Sequence, residues 1–364
     1  MNDLAPSPVP ASAPPAPVPP APVPPASWSL EEVAPGVLRL HMPLPFRGLK
    51  QVNLWLIHGA EGWTMVDCGF GSPAHREMLE EAWRAALGGG RIARLVVTHF
   101  HPDHMGNAGF IARRWGLTPE MTQLEWLAAH AAWHDGYSDD IAASQPFFRR
   151  HGLDEALIDT YREGFLRYGA SVDLPAAYRR IADGDLLRLG GADWRVVTGA
   201  GHSPELATLH APRLGLYIAG DQVLPGITPN VSVYPGEPEA DPIAAYVASL
   251  GHIRRAVADD VLVLPSHKLP FRGLHGRLDA LDAHHEARLA HLKAAFPADG
   301  RPIAAAEAMA HLFPFDLDGH QVAFAMGETL AHLNHLRRRG EAEELPAGDR
   351  LVYRLTPSAR DALP

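Results

Sequence analysis

From Trp28 onward, apolar residues recur in short blocks whose period changes along the chain. "WSLEEVAPGVLRLHMPL" and "VNLWLIHGAEGWTMVDCGF" are alternating or wholly apolar runs broken by glycine, the pattern of antiparallel strands and hairpins. "SPAHREMLEEAWRAALGG" changes to helical spacing, opens on Ser72-Pro73 and ends in glycines, which predicts a helix with both end signals. "RIARLVVTHF" predicts a buried strand, and "NAGFIARRWG" begins another helix. From about 118 to 182 the pattern is helical and rich in aromatics, as in "QLEWLAAHAAWHDGY" and "LIDTYREGFLRYG". It predicts a helical insert of the kind that walls a pocket.

Strand signals return in "DLLRLGGADWRVVTGAGHS", "TLHAPRLGLYIAGDQV" and "DVLVLPSH", with the helix "PIAAYVASLGHIRRAV" before the last of them. The helix "RLDALDAHHEARLAHLKAAF" closes this part. The order predicts an α/β protein, two sheets between helices with loops carrying the chemistry at one end. Beyond 297, "PIAAAEAMAHLF" and "GHQVAFAMGETLAHLNHLRRRG" predict helices, and "DRLVYRLT" after "EELPAG" a strand pair. Two helices, then a hairpin, resemble a winged helix. The expected division is a Pro/Ala-rich tail over 1–27, a main domain over 28–296 and a small C-terminal domain over 297–364.

Composition changes this picture in three ways. The tail, a Pro/Ala/Val tract, cannot bury a core and reads as a disordered spacer, with a docking segment for a proline-recognising domain as the alternative. A net charge of −10 argues against a surface built for nucleic acid. A single cysteine, Cys68, excludes an internal disulfide and fits a reducing compartment. With no secretory signal and no run long enough to span a bilayer, the expected location is cytoplasmic.

The chemistry concentrates in "THFHPDH". In a chain with 21 histidines the cluster alone could be a histidine-rich loop, so spacing and distant partners decide. If the loop leaves its strand extended, His99 and His101 project to one side and can grip one ion. Asp103 and His104, at the turn beyond, can face a second. Imidazoles and a carboxylate suit zinc, and also iron or manganese. His202 in "TGAGHSPE", Asp221 in "LYIAGDQV" and His267 in "VLVLPSHK" each follow an apolar run in the same way. Two ions about 3.5–4 Å apart can share a hydroxide, because coordination lowers the pKa of water towards 7. That hydroxide attacks a carbonyl or phosphoryl centre, and Asp103, beside it, is the expected proton acceptor.

Together "THFHPDH", "GAGHSPE", "AGDQV" and "LPSHK", with "VDCG" upstream, resemble the metallo-β-lactamase superfamily, and most of all its glyoxalase II-like hydrolases. The resemblance implies an αβ/βα sandwich with two divalent ions in a groove at its edge. It implies that His99, His101 and His202 hold the first ion. Asp103, His104 and His267 would hold the second, with Asp221 bridging and Asp67 supporting a ligand imidazole. Asp221 points away from the true β-lactamases, which lack that bridging ligand. His101 points away from the flavodiiron branch, which has an acidic residue there. Lys268 stands where many relatives have glycine, and is a candidate contact for an anionic substrate group, with a surface salt bridge as the alternative.

The expected activity is hydrolysis of an ester-type bond in a thioester, lactone or other carboxylic ester, the substrate being an anionic acyl compound. The alternative is a nucleic-acid phosphodiesterase or regulator using the C-terminal module. That module could instead close the pocket or form a homodimer. His284, His285, His291, His311, His320, His332, His335, His210 and His252 read as solvated, and Cys68 as a small buried filler. Trp126, Trp133, Phe147, Phe148, Tyr161, Phe165 and Tyr168 read mainly as core, with one or two reaching substrate.

Overall fold

The computed structural model describes residues 27–46, 48–133, 137–169 and 171–362, without the side chains of 137–143, 161, 164–169 and 320. The Pro/Ala-rich tract therefore lies outside the described residues, as do the side chains of Tyr161, Phe165 and Tyr168.

In chain order the strands are β1 (Ser29–Ala34), β2 (Val37–Pro43), β3 (Gln51–Gly59), β4 (Gly62–Val66), β5 (Ile92–Val96), β6 (Glu120–Met121), β7 (Arg179–Arg180), β8 (Leu186–Leu189), β9 (Ala192–Gly199), β10 (Leu206–Ala211), β11 (Leu216–Gly220), β12 (Leu262–Pro265), β13 (Ile303–Ala304), β14 (Ala342–Ala347) and β15 (Arg350–Leu355). The helices are α1 (Pro73–Ala86), α2 (Pro102–Met105), α3 (Ala108–Trp115), α4 (Gln123–Trp133), α5 (Tyr137–Arg150), α6 (Glu155–Gly169), α7 (Pro242–Ala256), α8 (Leu274–Lys293), α9 (Ala305–Leu312), α10 (Gly319–Arg338) and α11 (Pro357–Asp361).

Among the described residues, β1 to β7 form one sheet in sequence order, and β12-β11-β10-β9-β8 form a second. The first is antiparallel as far as β4 and parallel from there; in the second only β11 and β12 are parallel. Successive side chains on a strand point to opposite faces, and the sequence uses both. Trp55 and Ile57 of β3 and Val96 of β5 meet Trp194, Val196, Ile218 and Leu264 of the second sheet in one buried layer. Leu54, Leu56 and Leu95 face the other way, against Leu79 and Trp83 of α1 and Ile111 of α3. On the outer side of the second sheet, Val197, Tyr217 and Val263 pack with Tyr246 of α7 and Leu281 of α8. The architecture is the expected helix–sheet–sheet–helix sandwich.

α1 begins as its sequence predicts. Ser72 is extended (φ −88°, ψ 157°) and its hydroxyl accepts the His75 amide proton at 3.2 Å, with Pro73 next.

The insert is narrower than 118–182. β6 and β7, at its two ends, extend the first sheet, so the helical part is α4 to α6. Two-residue strands carry too little periodicity to register in sequence. The C-terminal segment has the helix, helix and hairpin order, with β13 added to make the sheet β13-β15-β14. It shares its core with the second sheet. Met326, Leu330 and Leu333 of α10 belong to the same buried cluster as Tyr246, Leu281 and Ile158.

The solvated reading fails for His285, His332 and His210, which are buried. α8 and α10 pack on each other, so His285 Nδ1 meets His332 Nε2 at 3.3 Å between them. Histidine marks neither face of a helix, which is why spacing missed them. His252, by contrast, is half-buried and pairs with Asp183 at 3.1 Å.

Candidate metal centre

Five strands end at one edge of the sandwich, and each delivers a polar side chain from the residues just beyond. Asp67 follows β4, His99 follows β5, His202 follows β9, Asp221 follows β11 and His267 follows β12. The two sheets are tied together there by backbone bonds, Ala207 N–H to Thr98 O (2.9 Å) and Asn53 N–H to Ser266 O (2.6 Å). His101 caps the four-residue α2, which carries Asp103 and His104.

All seven candidate ligands converge, and all are buried. His99 Nε2 lies 3.0 Å from His101 Nδ1 and 3.2 Å from His202 Nε2. Asp103 Oδ2 is 3.6 Å from both His104 Nε2 and His267 Nε2. Asp221 faces both groups: Oδ1 is 3.5 Å from His104 Nε2, and Oδ2 is 3.3 Å from His267 Nε2 and 3.6 Å from His202 Nε2.

Hydrogen bonds on the far side of each ring fix the tautomers. His104 Nδ1 donates to Asp67 Oδ2 (2.8 Å), His202 Nδ1 to Asn230 O (2.7 Å) and His267 Nδ1 to Gln51 O (2.6 Å). The Thr98 hydroxyl donates to Asp67 Oδ2 (2.9 Å), so its oxygen accepts from His99 Nδ1 (2.9 Å). Four imidazoles therefore turn bare Nε2 lone pairs inward. The Nε2 atoms of His99 and His202 then meet as two lone pairs rather than as donor and acceptor.

That arrangement fits metal ions. His104 Nε2, His267 Nε2 and Asp221 Oδ1 are buried without a hydrogen-bond partner, a costly state that a cation relieves. A tetrahedral ion with bonds of about 2.0–2.1 Å holds its ligand atoms roughly 3.3 Å apart, close to the spacings seen here. The charge balance agrees. Burial, with the neighbouring His104, His101 and His202, keeps His99 neutral and far below the usual imidazole value, and burial lowers His202. For His104 and His267 burial is outweighed by carboxylates, Asp221 foremost, and both are raised. Burial opposes ionisation of Asp221, yet His267 and His104 hold it well below the usual carboxylate range.

Asp67 lies beneath His104. Its backbone adopts φ +61°, and Oδ1 accepts the Thr98 amide proton at 2.7 Å. Lys268 is exposed at the rim with φ +69°, and Asn53 Nδ2 donates to its carbonyl (2.7 Å) and to that of Pro265 (2.9 Å). Cys68 is buried, donates from Sγ to His104 O (3.0 Å), and has its thiol pushed well up by burial and by Asp67. Trp133 Nε1 donates to Phe100 O at 3.0 Å, so this aromatic braces the ligand loop.

Sequence reasoning missed Glu125 of α4. This fully buried carboxylate accepts the Phe100 amide proton (2.9 Å), the Ser203 hydroxyl proton (2.6 Å) and the Glu205 amide proton (2.7 Å). It thus joins the loop of His99 and His101 to the loop of His202. Burial raises its pKa to about 7 against those three donors. Its signal was there to read: Glu125, Ala129 and Trp133, four apart, are the buried stripe of α4, and a carboxylate in such a stripe needs partners.

Comparison with known proteins agrees with this fold. A crystal structure of a beta-lactamase domain protein from Burkholderia ambifaria is 41% identical and superposes with a TM-score of 0.82, over 92% of this chain and 96% of that one. A metallo-beta-lactamase family protein from Thermus thermophilus is 29% identical with a TM-score of 0.76, over 89% and 100%. Among curated proteins, a linear primary-alkylsulfatase from Pseudomonas sp. is 25% identical over 232 residues, 60% of this chain and 42% of its own. An uncharacterized protein of Aquifex aeolicus is 26% identical over 137 residues, 37% of this chain and 51% of its own. The chain thus spans about half the length, or less, of these curated relatives. Residues 288–357 match the family profile "Metallo-beta-lactamase-like, C-terminal domain". Residues 47–267, from the start of the first sheet's central strands to the last candidate ligand, match the profile of the metallo-beta-lactamase superfamily, and the chain belongs to that superfamily.

Proposed function

We propose that the protein is a dinuclear metal-dependent hydrolase of ester-type bonds. The observation that carries this reading is the set of inward-facing, unpartnered donors at His104 Nε2, His267 Nε2 and Asp221 Oδ1 beside the His99, His101 and His202 trio. His99, His101 and His202 would hold one ion, Asp103, His104 and His267 the other, with Asp221 between. Divalent ions there supply Lewis acidity and a water whose pKa falls towards 7. Zinc suits the donor set, and iron or manganese are accepted by the same atoms.

The chain's own residues do the rest. Asp103, a carboxylate among the ligands, takes the proton from the attacking water. Asp67, Asn230 O and Gln51 O hold the imidazoles in the required tautomer. Lys268 at the rim attracts an anionic group on the substrate, and its strained backbone is the kind of outlier that accompanies function. A thioester, lactone or other carboxylic ester with an anionic moiety fits, in line with the glyoxalase II-like motifs. A sulfate ester is the second reading, supported by the relative named as a linear primary-alkylsulfatase. Against nucleic acid stand the partners of the basic end of α10: Arg337 pairs with Glu239 and Glu344, and Arg339 with Glu286 and Glu341.

Elemental analysis of the purified protein, coupled to panels of thioesters, lactones, carboxylic esters and alkyl sulfates, tests the proposal with His101→Ala as control. Two ions per chain and ester hydrolysis lost in the variant are expected. Turnover of phosphodiesters alone sinks the ester reading.

A further inference from the structure

The loop between β11 and α7 passes directly under His202, and α10 of the C-terminal segment holds that loop along its length. Val233 N–H donates to Gly327 O (3.0 Å) in the middle of the helix. Asn230 Nδ2 reaches Phe324 O at 3.5 Å, and the Ser232 hydroxyl locks the other end of that amide at 2.5 Å through Asn230 Oδ1. Further on, Asn334 Nδ2 donates to Pro238 O and Ala240 O (both 2.9 Å), and His335 pairs with Asp241 (3.0 Å). The approach is close enough to need glycine. A Cβ on Gly327 would lie 2.7 Å from Ser232 Oγ, 2.8 Å from Ser232 Cβ and 3.1 Å from Val233 O. Beside it, half-buried Glu328 is anchored by Arg288 Nε at 3.2 Å.

One carbonyl in the stretch that α10 holds carries this restraint to a candidate ligand ring. Asn230 O accepts the Nδ1 proton of His202 at 2.7 Å and so sets that ring's tautomer and tilt. A hydrogen-bond partner behind a ligand imidazole governs both its orientation and its basicity.

We infer that the C-terminal helix α10 is part of the metal centre, with Gly327 and Asn230 as positioning residues that fix His202 for the first ion. The inference rests on the proposed role of His202 as a ligand. It assigns the C-terminal segment a task inside its own chain, ahead of any outside partner. The group of Asp103, His104 and His267 meets this loop at Asp221, ahead of the stretch that α10 holds, so the two ions should respond differently.

Calorimetric titration of the metal-free full chain with Zn2+ tests this, together with the visible spectrum of the Co2+-loaded protein. The variants are Gly327→Ala, Asn230→Ala and the pair Gly327→Ala/Ser232→Gly, with His101→Ala marking loss of the first ion. Gly327→Ala is expected to weaken one ion by about tenfold or more, the size of effect typical for outer partners of metal ligands, and to alter the Co2+ spectrum as His101→Ala does. The other ion stays within about twofold, and the added Ser232→Gly restores part of the loss. If Gly327→Ala does not fold, Asn230→Ala decides, since it removes the tether to α10 and keeps the carbonyl. Wild-type affinity for both ions in the folded variants, or equal weakening of both, overturns the inference and leaves the proposed function standing. A wild-type chain that binds no Zn2+ overturns both.

Discussion

The Asp67 carboxylate accepts the Nδ1 proton of His104 at 2.8 Å from a backbone held at φ +61°. One residue thereby fixes a ligand's tautomer from a conformation that few side chains adopt, and Asn and Asp are among those that do. Asp67→Asn should therefore keep the backbone while removing the charge behind His104. The expected result is a 10- to 100-fold loss of affinity for the ion His104 binds, roughly as for other such partners. Equilibrium dialysis against a competing chelator reads it, and unchanged affinity removes Asp67 from the site.

Bound ions should stabilise the fold, because the unfolded chain cannot gather ligands from four strand ends. At free metal 100 times the dissociation constant the gain is about 2.7 kcal/mol per site. Melting curves with and without chelator should separate by several degrees, and His267→Ala should shrink the gap. Coincident curves would count against any metal at this edge.

Glu125→Ala leaves three donors facing a void, at about 1–3 kcal/mol for each unpaired group. Glu125→Gln keeps one acceptor oxygen and should cost less. Both should weaken metal binding at the trio whose loops Glu125 joins, more than stability loss alone explains. Urea denaturation read alongside zinc affinity distinguishes a local tie from general support.

Lys268→Gly relieves a positive φ that costs a non-glycine residue about 1–2 kcal/mol, part of which glycine's freedom in the unfolded chain takes back. The variant should melt slightly higher than wild type. KM for anionic esters should rise by roughly tenfold, about 1.4 kcal/mol, with kcat little changed. Equal KM values for charged and neutral esters in both proteins would dismiss Lys268 as an anion contact.

Burial lowers His285 to about 4 and His332 to about 3, with neighbouring positive charges adding to it. The unfolded chain, with both near 6.5, binds more protons below that pH, so stability falls as pH drops from about 6.5 towards 4. Each pH unit between the two values is worth about 1.4 kcal/mol per group. Metal-free wild type should lose more stability between pH 7 and 4.5 than His285→Gln/His332→Gln. An identical loss in both would place the acid sensitivity elsewhere.

The strand-end ligands were legible because each obeys a local rule, an apolar run followed by a polar residue, and five such ends can share an edge only if strands assemble into sheets. His99 and His267 needed nothing more, whereas Asp67 was singled out only by the family resemblance of "VDCG". Asn230 was not legible, since it meets His202 across 28 positions and uses only its backbone oxygen; helical spacing put Glu125 on the buried stripe of α4, but not its partners, as far as 80 positions away. The pair His285 and His332 was misjudged for a related reason: helical spacing shows that a helix has faces, and the neighbour across the interface decides which polar residues it buries.

Gln51 O and His267 Nδ1 meet at 2.6 Å although 216 positions separate them. During synthesis β3 is made early, and its carbonyl waits for a strand that emerges much later. Contacts of such long range form slowly, after local structure. Until β12 docks beside β11, His267 is missing from the group it forms with Asp103 and His104, while the other candidate ligands lie earlier in the chain. The group of Asp103, His104 and His267 is thus closed last, by the ligand-bearing strand that lies furthest along the chain from β3.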